Sequence, residues 1–162
     1  MATPEQLPHD LEAEKAVLGA CLLDPQALAA AAEMLTPAAF YKPAHGWIFE
    51  AMLDLADEGQ PADLMTLADE LRARNRLESV GGMTYLAELA GTVPTAAHVE
   101  HYARIVQAMH RRRQLIRVAA ELQHRARDMS TDLDELLDQA ERAVFAVAQD
   151  ASSDDAGVVG PG

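Results

Sequence analysis

The chain has 162 residues, of which 49% are apolar and 4% aromatic, and 32 of them are alanine. Its formal net charge of -13 excludes a surface that coats nucleic acid over its whole extent, because binding phosphates needs a positive field. The abundance of leucine and alanine favours helices and argues against an all-β sandwich. A chain of this length can bury enough surface for one core.

Targeting signals are missing from the sequence. The N-terminus, MATPEQLPHD, has neither a basic region nor an apolar run, and no stretch of 18 uninterrupted apolar residues occurs anywhere. The lone Cys21 cannot form an internal disulfide, so nothing indicates an oxidising compartment. We therefore expect a cytoplasmic protein without a membrane partner.

Helix signals follow one another through the first 95 residues. A helix is predicted from Asp10 to Leu23, and Asp24 is predicted to cap a second helix that begins at Pro25 and runs to about Leu35. Further helical elements are predicted over Thr36-Pro37 to about Tyr41, Pro43 to Glu58 (ended by Gly59), Leu64 to about Arg76 (capped by Asp63) and Met83 to Ala90 (ended by Gly91). Val80-Gly81-Gly82 is predicted as a loop. These six elements indicate a compact helical head.

Two longer helices are predicted after the head. The first runs from its cap Thr95 to Asp128 without Gly or Pro, and its apolar stripe changes face after the Arg111–Arg113 triplet. We interpret its first half as part of the head and its second half as leaving it. The last helix, capped by Ser130 or Thr131, runs from Asp132 to about Gln149.

The predicted fold class is all-α, with a compact helical head of about six short helices followed by a helical hairpin built on a long helix. The head spans residues 1–95 and begins with flexible residues 1–8. The long helix and hairpin span residues 96–149. Residues 150–162 have the composition of a disordered linker.

Charge is divided unevenly along the chain. Residues 104–127 carry seven arginines against Glu121 alone, whereas residues 128–162 carry Arg142 against nine acids. Neighbouring antiparallel helices of opposite sign would give this pattern, and so would two solvated faces that never meet. The Arg111–Arg113 triplet could contact phosphate, but the acidic helix that follows favours contact with nearby carboxylates.

Catalytic motifs are absent from the sequence. Its two lysines, Lys15 and Lys42, do not follow glycine, so there is no P-loop for a nucleoside triphosphate. His98 and His101 have no third ligand at zinc spacing. Cys21 lies in an apolar stripe without a histidine partner, which favours a core position over a nucleophile. We predict no catalytic, cofactor-binding or metal-binding residue.

Five strings resemble a known family in order and spacing: LPHDLEAEKAVLGACLLDP, FYKPAHGWIFEAM, PADLMTLADEL, VGGMTYLAELA and VPTAAHVEHYARIV. They are similar to the N-terminal domain of the bacterial replicative DNA helicase, the DnaB family. The resemblance covers Leu7 to about Ala148.

This resemblance implies a helical head and hairpin that precede a linker and a RecA-like ATPase domain. Hairpins would pair two subunits, and three such dimers would form a collar on the hexameric ring that unwinds DNA at the replication fork. The C-terminal helical domain of primase would dock on the collar, and a helicase loader is a further candidate partner. This domain itself would hold no cofactor, since ATP, Mg²⁺ and most of the DNA contact would belong to the motor domain.

Two sets of contact residues follow from the resemblance and the apolar stripes. The dimer interface is predicted at Leu115, Ala119, Leu122, Leu133, Leu136, Leu137, Ala140 and Val144. The primase contact is predicted at Tyr85, Ile116 and Leu122. For each residue, the alternative is ordinary packing within one chain.

Two other classes of protein fit parts of the pattern. A free-standing helical adaptor could bind primase or a loader without ever having a motor domain. A small helical DNA-binding regulator could use Arg104 to Arg127 as its contact strip, although the acidic remainder of the chain opposes this.

Overall fold

The computed structural model describes residues 6–159, with side chains described for residues 6–149. The chain divides into two compact units. The first, which we call the head, is His9–Gln107, and the second, the hairpin unit, comprises Met1–Pro8 and Ala108–Gly162.

The described residues contain helices and no strand, which confirms the predicted all-α class. A single turn of 3-10 helix lies at Pro37–Ala39. The α-helices are α1 (Leu11–Leu23), α2 (Pro25–Met34), α3 (Pro43–Asp57), α4 (Leu64–Ala73), α5 (Leu77–Val80), α6 (Gly82–Ala90), α7 (Val99–Arg127) and α8 (Leu133–Val159).

Aspartate caps fix three of the helix starts in the head. Asp10 accepts a hydrogen bond from the Ala13 amide at the start of α1, and Asp63 accepts one from the Thr66 amide at the start of α4. Asp24 accepts one from the Gln26 amide, and Pro25 occupies the first turn of α2, as the sequence predicts. Each carboxylate satisfies an amide that would otherwise have no helical partner.

The predicted helix from Leu64 to Arg76 is wrong at its C-terminal end. Helix α4 stops at Ala73, and Asn75 has a φ of 58°, a left-handed conformation that no α-helix continues through. A short helix, α5, follows where the sequence predicted none, and it buries Leu77 in the core. Helix α6 then begins directly at Gly82, so the predicted loop shrinks to Gly81.

The starts of the two long helices also differ from their predicted positions. Thr95 does not cap α7: its hydroxyl accepts from the Ala97 amide in a turn, and the helix begins at Val99. At α8, the Asp132 carboxylate accepts from the Glu135 amide, so the cap is Asp132 and not Ser130 or Thr131. A carboxylate at a helix N-terminus also interacts favourably with the helix dipole.

Helix α8 extends to Val159, beyond its predicted end at Gln149. No glycine or proline lies between Thr131 and Ala156, so nothing in the backbone chemistry stops the helix earlier. Residues 160–162, the end of the predicted linker, lie outside the described residues, as do residues 1–5 of the predicted flexible start.

The core of the head is built by α1 to α6 and the first turns of α7. Phe49, Leu18 and Leu86 are completely buried there, and so is Ala103 of α7. Because Val106 also belongs to this core, the head ends after Gln107 and not at residue 95. Among the helices of the described residues, none combines the length and apolar character needed to cross a membrane.

Gly19 allows α1 to pack closely on α6. A Cβ atom at this position would collide with the carbonyl oxygen of Leu89. We expect Gly19→Ala to destabilise the head by about 1–3 kcal/mol, the usual cost of overpacking a close contact. Urea unfolding followed by circular dichroism should show a lower midpoint.

Gly91→Ala is the matched control for this substitution. Its added Cβ would meet the Glu88 carbonyl oxygen at 3.7 Å, an ordinary contact, and the residue has a negative φ of -92°. Its midpoint should stay near that of the unsubstituted protein. Equal midpoints for the two variants would show that the α1–α6 contact can relax at no cost.

Candidate interaction surfaces

Large apolar side chains are exposed on both helices of the hairpin unit. Leu137 is 58% exposed and Val144 48% exposed on α8, and Leu115 is 45% exposed on α7. Leu133 and Phe145 of α8 are exposed as well. Contiguous exposed apolar side chains are a common feature of surfaces that bind other molecules.

Three exposed apolar residues of α8 and the half-buried Ala140 follow helical spacing. Leu133, Leu137, Ala140 and Val144 are separated by four, three and four positions and therefore share one face. We call this set the α8 apolar face. Leu136, predicted in the same interface, is instead buried within the single chain, so it is not part of the exposed set.

The predicted interface residues of α7 have mixed exposure. Leu115 and Ala119 are exposed and lie one helical turn apart. Leu122 is half-buried because it lines a groove of about 320 Å³ in which side chains of α7 and α8 meet. The groove is lined by Arg117, Val118, Glu121, Leu122, Arg125, Gln139 and Ala143.

Two ion pairs of the hairpin unit each join residues of the same helix. Arg125 binds Glu121 at 3.1 Å on α7, and Arg142 binds Asp138 at 3.0 Å on α8. Exposed pairs of this kind contribute little to stability. Arg113 is only 2% exposed and donates to the Pro8 carbonyl oxygen at 2.8 Å, so it is not available to phosphate.

A buried hydrogen-bond network of Glu14, His45 and Tyr85 joins three helices of the head. The carboxylate of Glu14 on α1 and the imidazole of His45 on α3 are 1% and 0% exposed, and Glu14 Oε1 lies 2.8 Å from His45 Nδ1. On the other side of the ring, His45 Nε2 lies 2.6 Å from the hydroxyl of Tyr85 on α6. Each polar group of this network therefore has a hydrogen-bond partner, as burial requires.

The backbone before α3 completes the coordination of Glu14. The Tyr41 amide donates to Glu14 Oε2 at 2.7 Å, and the Lys42 amide donates to Oε1 at 3.4 Å. An ionised carboxylate accepts hydrogen bonds only, and here all of its neighbours are donors or can be. Glu14 is thus the point at which α1 is bound to the start of α3.

Tyr85 links this hydrogen-bond network to the surface of the head. Burial, together with the nearby carboxylates of Glu88, Glu14 and Glu12, raises the pKa of Tyr85 to about 12. The Lys42 ammonium lies 3.4 Å from the Tyr85 hydroxyl and 4.4 Å from the centre of its ring. The hydroxyl faces the interior and the ring is half-buried, so a partner can reach only part of this side chain.

The structure places the three predicted primase-contact residues in different units. Tyr85 lies in the head, whereas Ile116 and Leu122 lie in the hairpin unit. Ile116 is 44% exposed. The roles of Glu14 and His45 were missed from the sequence, although one signal was present: Glu14 stands three positions after Leu11 and four before Leu18, on the apolar stripe of α1.

Other candidate sites have structural explanations. Cys21 is 2% exposed, and burial raises the pKa of its thiol to about 12, so it is an inert core residue. His101 makes an edge contact with Tyr102, with ring centres 5.3 Å apart. Across the described part of the chain, no three His, Cys, Asp or Glu side chains are grouped as a metal site.

Within the described residues, the chain is an all-helical domain whose hairpin unit exposes large apolar side chains. Residues 6–108 match the family model described as the DnaB-like helicase N-terminal domain. The match covers more than half of the chain, so the chain belongs to this family, which confirms the resemblance seen in the sequence.

Two replicative DNA helicases are similar to this chain over most of its length. The protein is 50% identical over 142 residues to the replicative DNA helicase DnaB of Geobacillus stearothermophilus and 44% identical over 142 residues to the replicative DNA helicase DnaC of Bacillus subtilis (strain 168). In both cases the match covers 88% of this chain but only 31% of the relative. The chain thus spans about a third of the length of these relatives.

Solved structures with the same fold include the N-terminal domain of DnaB helicase from Mycobacterium tuberculosis. It matches with a TM-score of 0.82 and 39% identity, covering 87% of this chain and 99% of that one. A structure described as a DnaB-like replicative helicase and its interactions with primase matches with a TM-score of 0.71 and 26% identity. That match covers 85% of this chain and 31% of the solved one.

The raised pKa of Tyr85 makes its contribution to stability depend on pH. A folded-state pKa of about 12, above the usual 10, means that the contribution is complete below pH 10 and is lost as the pH rises through 12. Ultraviolet titration should show a late tyrosine ionisation near pH 12, and Tyr85→Phe should remove it. A titration that lacks this late step in the unsubstituted protein would contradict the geometry.

Proposed function

We propose that this chain acts as the N-terminal collar domain of a hexameric replicative DNA helicase, where it pairs subunits and docks primase. The observation that carries the proposal is the exposed α8 apolar face in a chain that belongs to the DnaB-like N-terminal family. Such a domain works by binding other proteins, which agrees with its absence of a P-loop in the sequence.

Self-association would use the hairpin unit. A hairpin that leaves Leu133, Leu137 and Val144 exposed gains free energy when a second copy covers them, at about 25 cal/mol per Å² of buried apolar surface. Leu115, Ala119, Leu122 and Ala140 would extend this contact, and three such dimers would form the collar. Leu136 would support the interface from inside the hairpin.

Primase would dock through its C-terminal helical domain at Tyr85, Ile116 and Leu122. This partner is supported by the likeness of the fold to a DnaB-like replicative helicase whose structure is described together with its interactions with primase. A helicase loader is a further proposed partner, and cytoplasmic action at the replication fork follows from the same assignment.

DNA unwinding would belong to a RecA-like motor domain of the full-length helicase. ATP and Mg²⁺ would bind there: these 162 residues have no P-loop sequence, and the described ones show no metal cluster. The head, residues 9–107, has 15 acids and 6 basic residues, and this negative charge opposes strong binding of DNA by the head.

The pairing role predicts a monomeric variant. Leu137→Glu places a charge in the middle of the α8 apolar face, and burying that charge in an interface would be costly. Sedimentation velocity should show a helical monomer at concentrations where the unsubstituted chain associates. An unchanged sedimentation coefficient would disprove the hairpin interface.

Arg142→Ala is the matched control for Leu137→Glu. It changes the net charge by the same amount and lies on α8 outside the apolar face, where its side chain pairs only with Asp138 in the described structure. We expect its association to equal that of the unsubstituted chain, because exposed ion pairs contribute little.

The primase role predicts weaker binding by surface variants. Tyr85→Ala and Leu122→Ala should each weaken binding of the primase C-terminal helical domain about tenfold, or about 1.4 kcal/mol, as removal of an interface anchor does. Isothermal titration calorimetry measures the change. Met65→Ala, an exposed apolar residue of α4, is the control and should bind normally. Normal binding by both surface variants would reject the predicted contact.

A coding-sequence test separates the helicase domain from a free-standing adaptor. A reading frame that continues past Gly162 into a G-x-x-x-x-G-K-[ST] sequence supports the helicase, whereas a stop codon there supports the adaptor.

A further inference from the structure

Lys42 differs from the other lysine and arginine residues of the head. Lys15 pairs with Glu12 and Glu88, and Arg104 pairs with Glu100. Arg72, Arg74 and Arg76 also lie within 4 Å of carboxylates. Lys42 alone among the lysines and arginines of His9–Gln107 has no carboxylate partner within the described residues; its ammonium contacts the Tyr85 hydroxyl and ring instead.

This arrangement leaves donor capacity on Lys42. An ammonium has three N–H donors, and the Tyr85 hydroxyl accepts one of them. The side chain is also half-buried, so it is less hydrated than a fully exposed lysine. An unpaired, partly desolvated cation gains more from a carboxylate than an exposed one does.

The buried hydrogen-bond network of Glu14 and His45 fixes the position of Tyr85. One order of donors satisfies every atom: Lys42 donates to the Tyr85 oxygen, Tyr85 donates to His45 Nε2, and His45 Nδ1–H donates to Glu14. Glu14 accepts at the end of this series of hydrogen bonds. The phenol ring is therefore held in one orientation, with the ammonium over it.

Charge around Lys42 adds selectivity. The head, residues 9–107, carries 15 acids against 6 basic groups, so most of the head repels a partner's carboxylate. Glu12 and Glu88 lie near Tyr85, as their effect on its pKa shows, but Lys15 is within 4 Å of both carboxylates. Among the described residues around Tyr85, Lys42 is thus the cation that is not already paired with a carboxylate and can bind one from a partner.

We propose that the Lys42–Tyr85 pair is a docking contact that receives a carboxylate of the partner protein, with Glu14 and His45 as positioning residues that hold Tyr85 beneath the ammonium. The proposal rests on primase docking at Tyr85 and adds the chemistry of the partner: an acidic side chain beside an apolar one. The carboxylate pairs with Lys42 while the apolar group packs on the exposed part of the Tyr85 ring.

The test uses the whole chain and the primase C-terminal helical domain as the probe. Lys42→Met keeps the length of the side chain but removes its charge, and it should weaken binding about tenfold or more, as the loss of a charge-assisted hydrogen bond does. Lys42→Arg keeps the charge and should bind within a few-fold of the unsubstituted chain. Arg72→Met, which removes one exposed charge elsewhere on the head, is the matched control and should not weaken binding.

Salt dependence separates a charge contact from a packing effect. Affinity of the unsubstituted chain should fall as salt rises, and the fall should be shallower for Lys42→Met because one ion pair is gone. Tyr85→Phe tests the positioning residues: it keeps the ring but breaks the link to His45, and it should weaken binding less than Tyr85→Ala does. Circular dichroism of each variant checks that the head stays folded.

The outcomes distinguish this inference from the function on which it rests. If neither Tyr85→Ala nor Leu122→Ala affects binding, primase does not dock at the predicted residues. If those variants weaken binding while Lys42→Met matches the Arg72→Met control, docking stands and the carboxylate contact is overturned. Equal affinity of Tyr85→Phe and the unsubstituted chain would overturn the positioning role of His45 and Glu14.

Discussion

A buried carboxylate constrains the head more than any other single group. Glu14 is almost completely inaccessible to water, and a charge in that position is tolerated only with a full set of hydrogen-bond donors. The donors come from the Tyr41 and Lys42 amides and from His45. Because Tyr85 follows on the far side of the imidazole, one acidic residue sets the relative placement of α1, α3 and α6. The position of Tyr85 at the surface is therefore set by this buried hydrogen-bond network.

Helix α7 shows how one continuous element can serve two environments. Ala103 and Val106 are buried in the core of the head, whereas Leu115 and Ile116 farther along the same helix are exposed. The change of apolar face across the Arg111–Arg113 triplet matches this change of environment. An uninterrupted helix needs no loop for the transition, so the backbone hydrogen bonds of both parts remain satisfied.

Local chemistry made part of the fold predictable and left part of it hidden. The Asp24-Pro25 start of α2 and the Asp63 cap of α4 were predictable because a cap depends on residues two or three positions away. The left-handed Asn75 was missed because asparagine adopts that conformation only where the surrounding packing favours it. Glu14 and His45 are 31 positions apart, and no local pattern shows that they meet. The exposed face of α8 was predictable from periodicity, but periodicity could not show that Leu136 faces inward.

If a second copy covers the α8 apolar face, as proposed, the stability of the hairpin depends on the concentration of the protein. Two helices that leave Leu133, Leu137, Val144 and Phe145 exposed bury little apolar surface of their own, whereas the head has a complete core. Covering that face with another chain adds its binding free energy to the stability of the helices, by mass action. In the proposed dimer, the hairpin would then become more stable as the protein is concentrated. In that dimer, assembly and helix formation in the hairpin unit would therefore be coupled in one equilibrium.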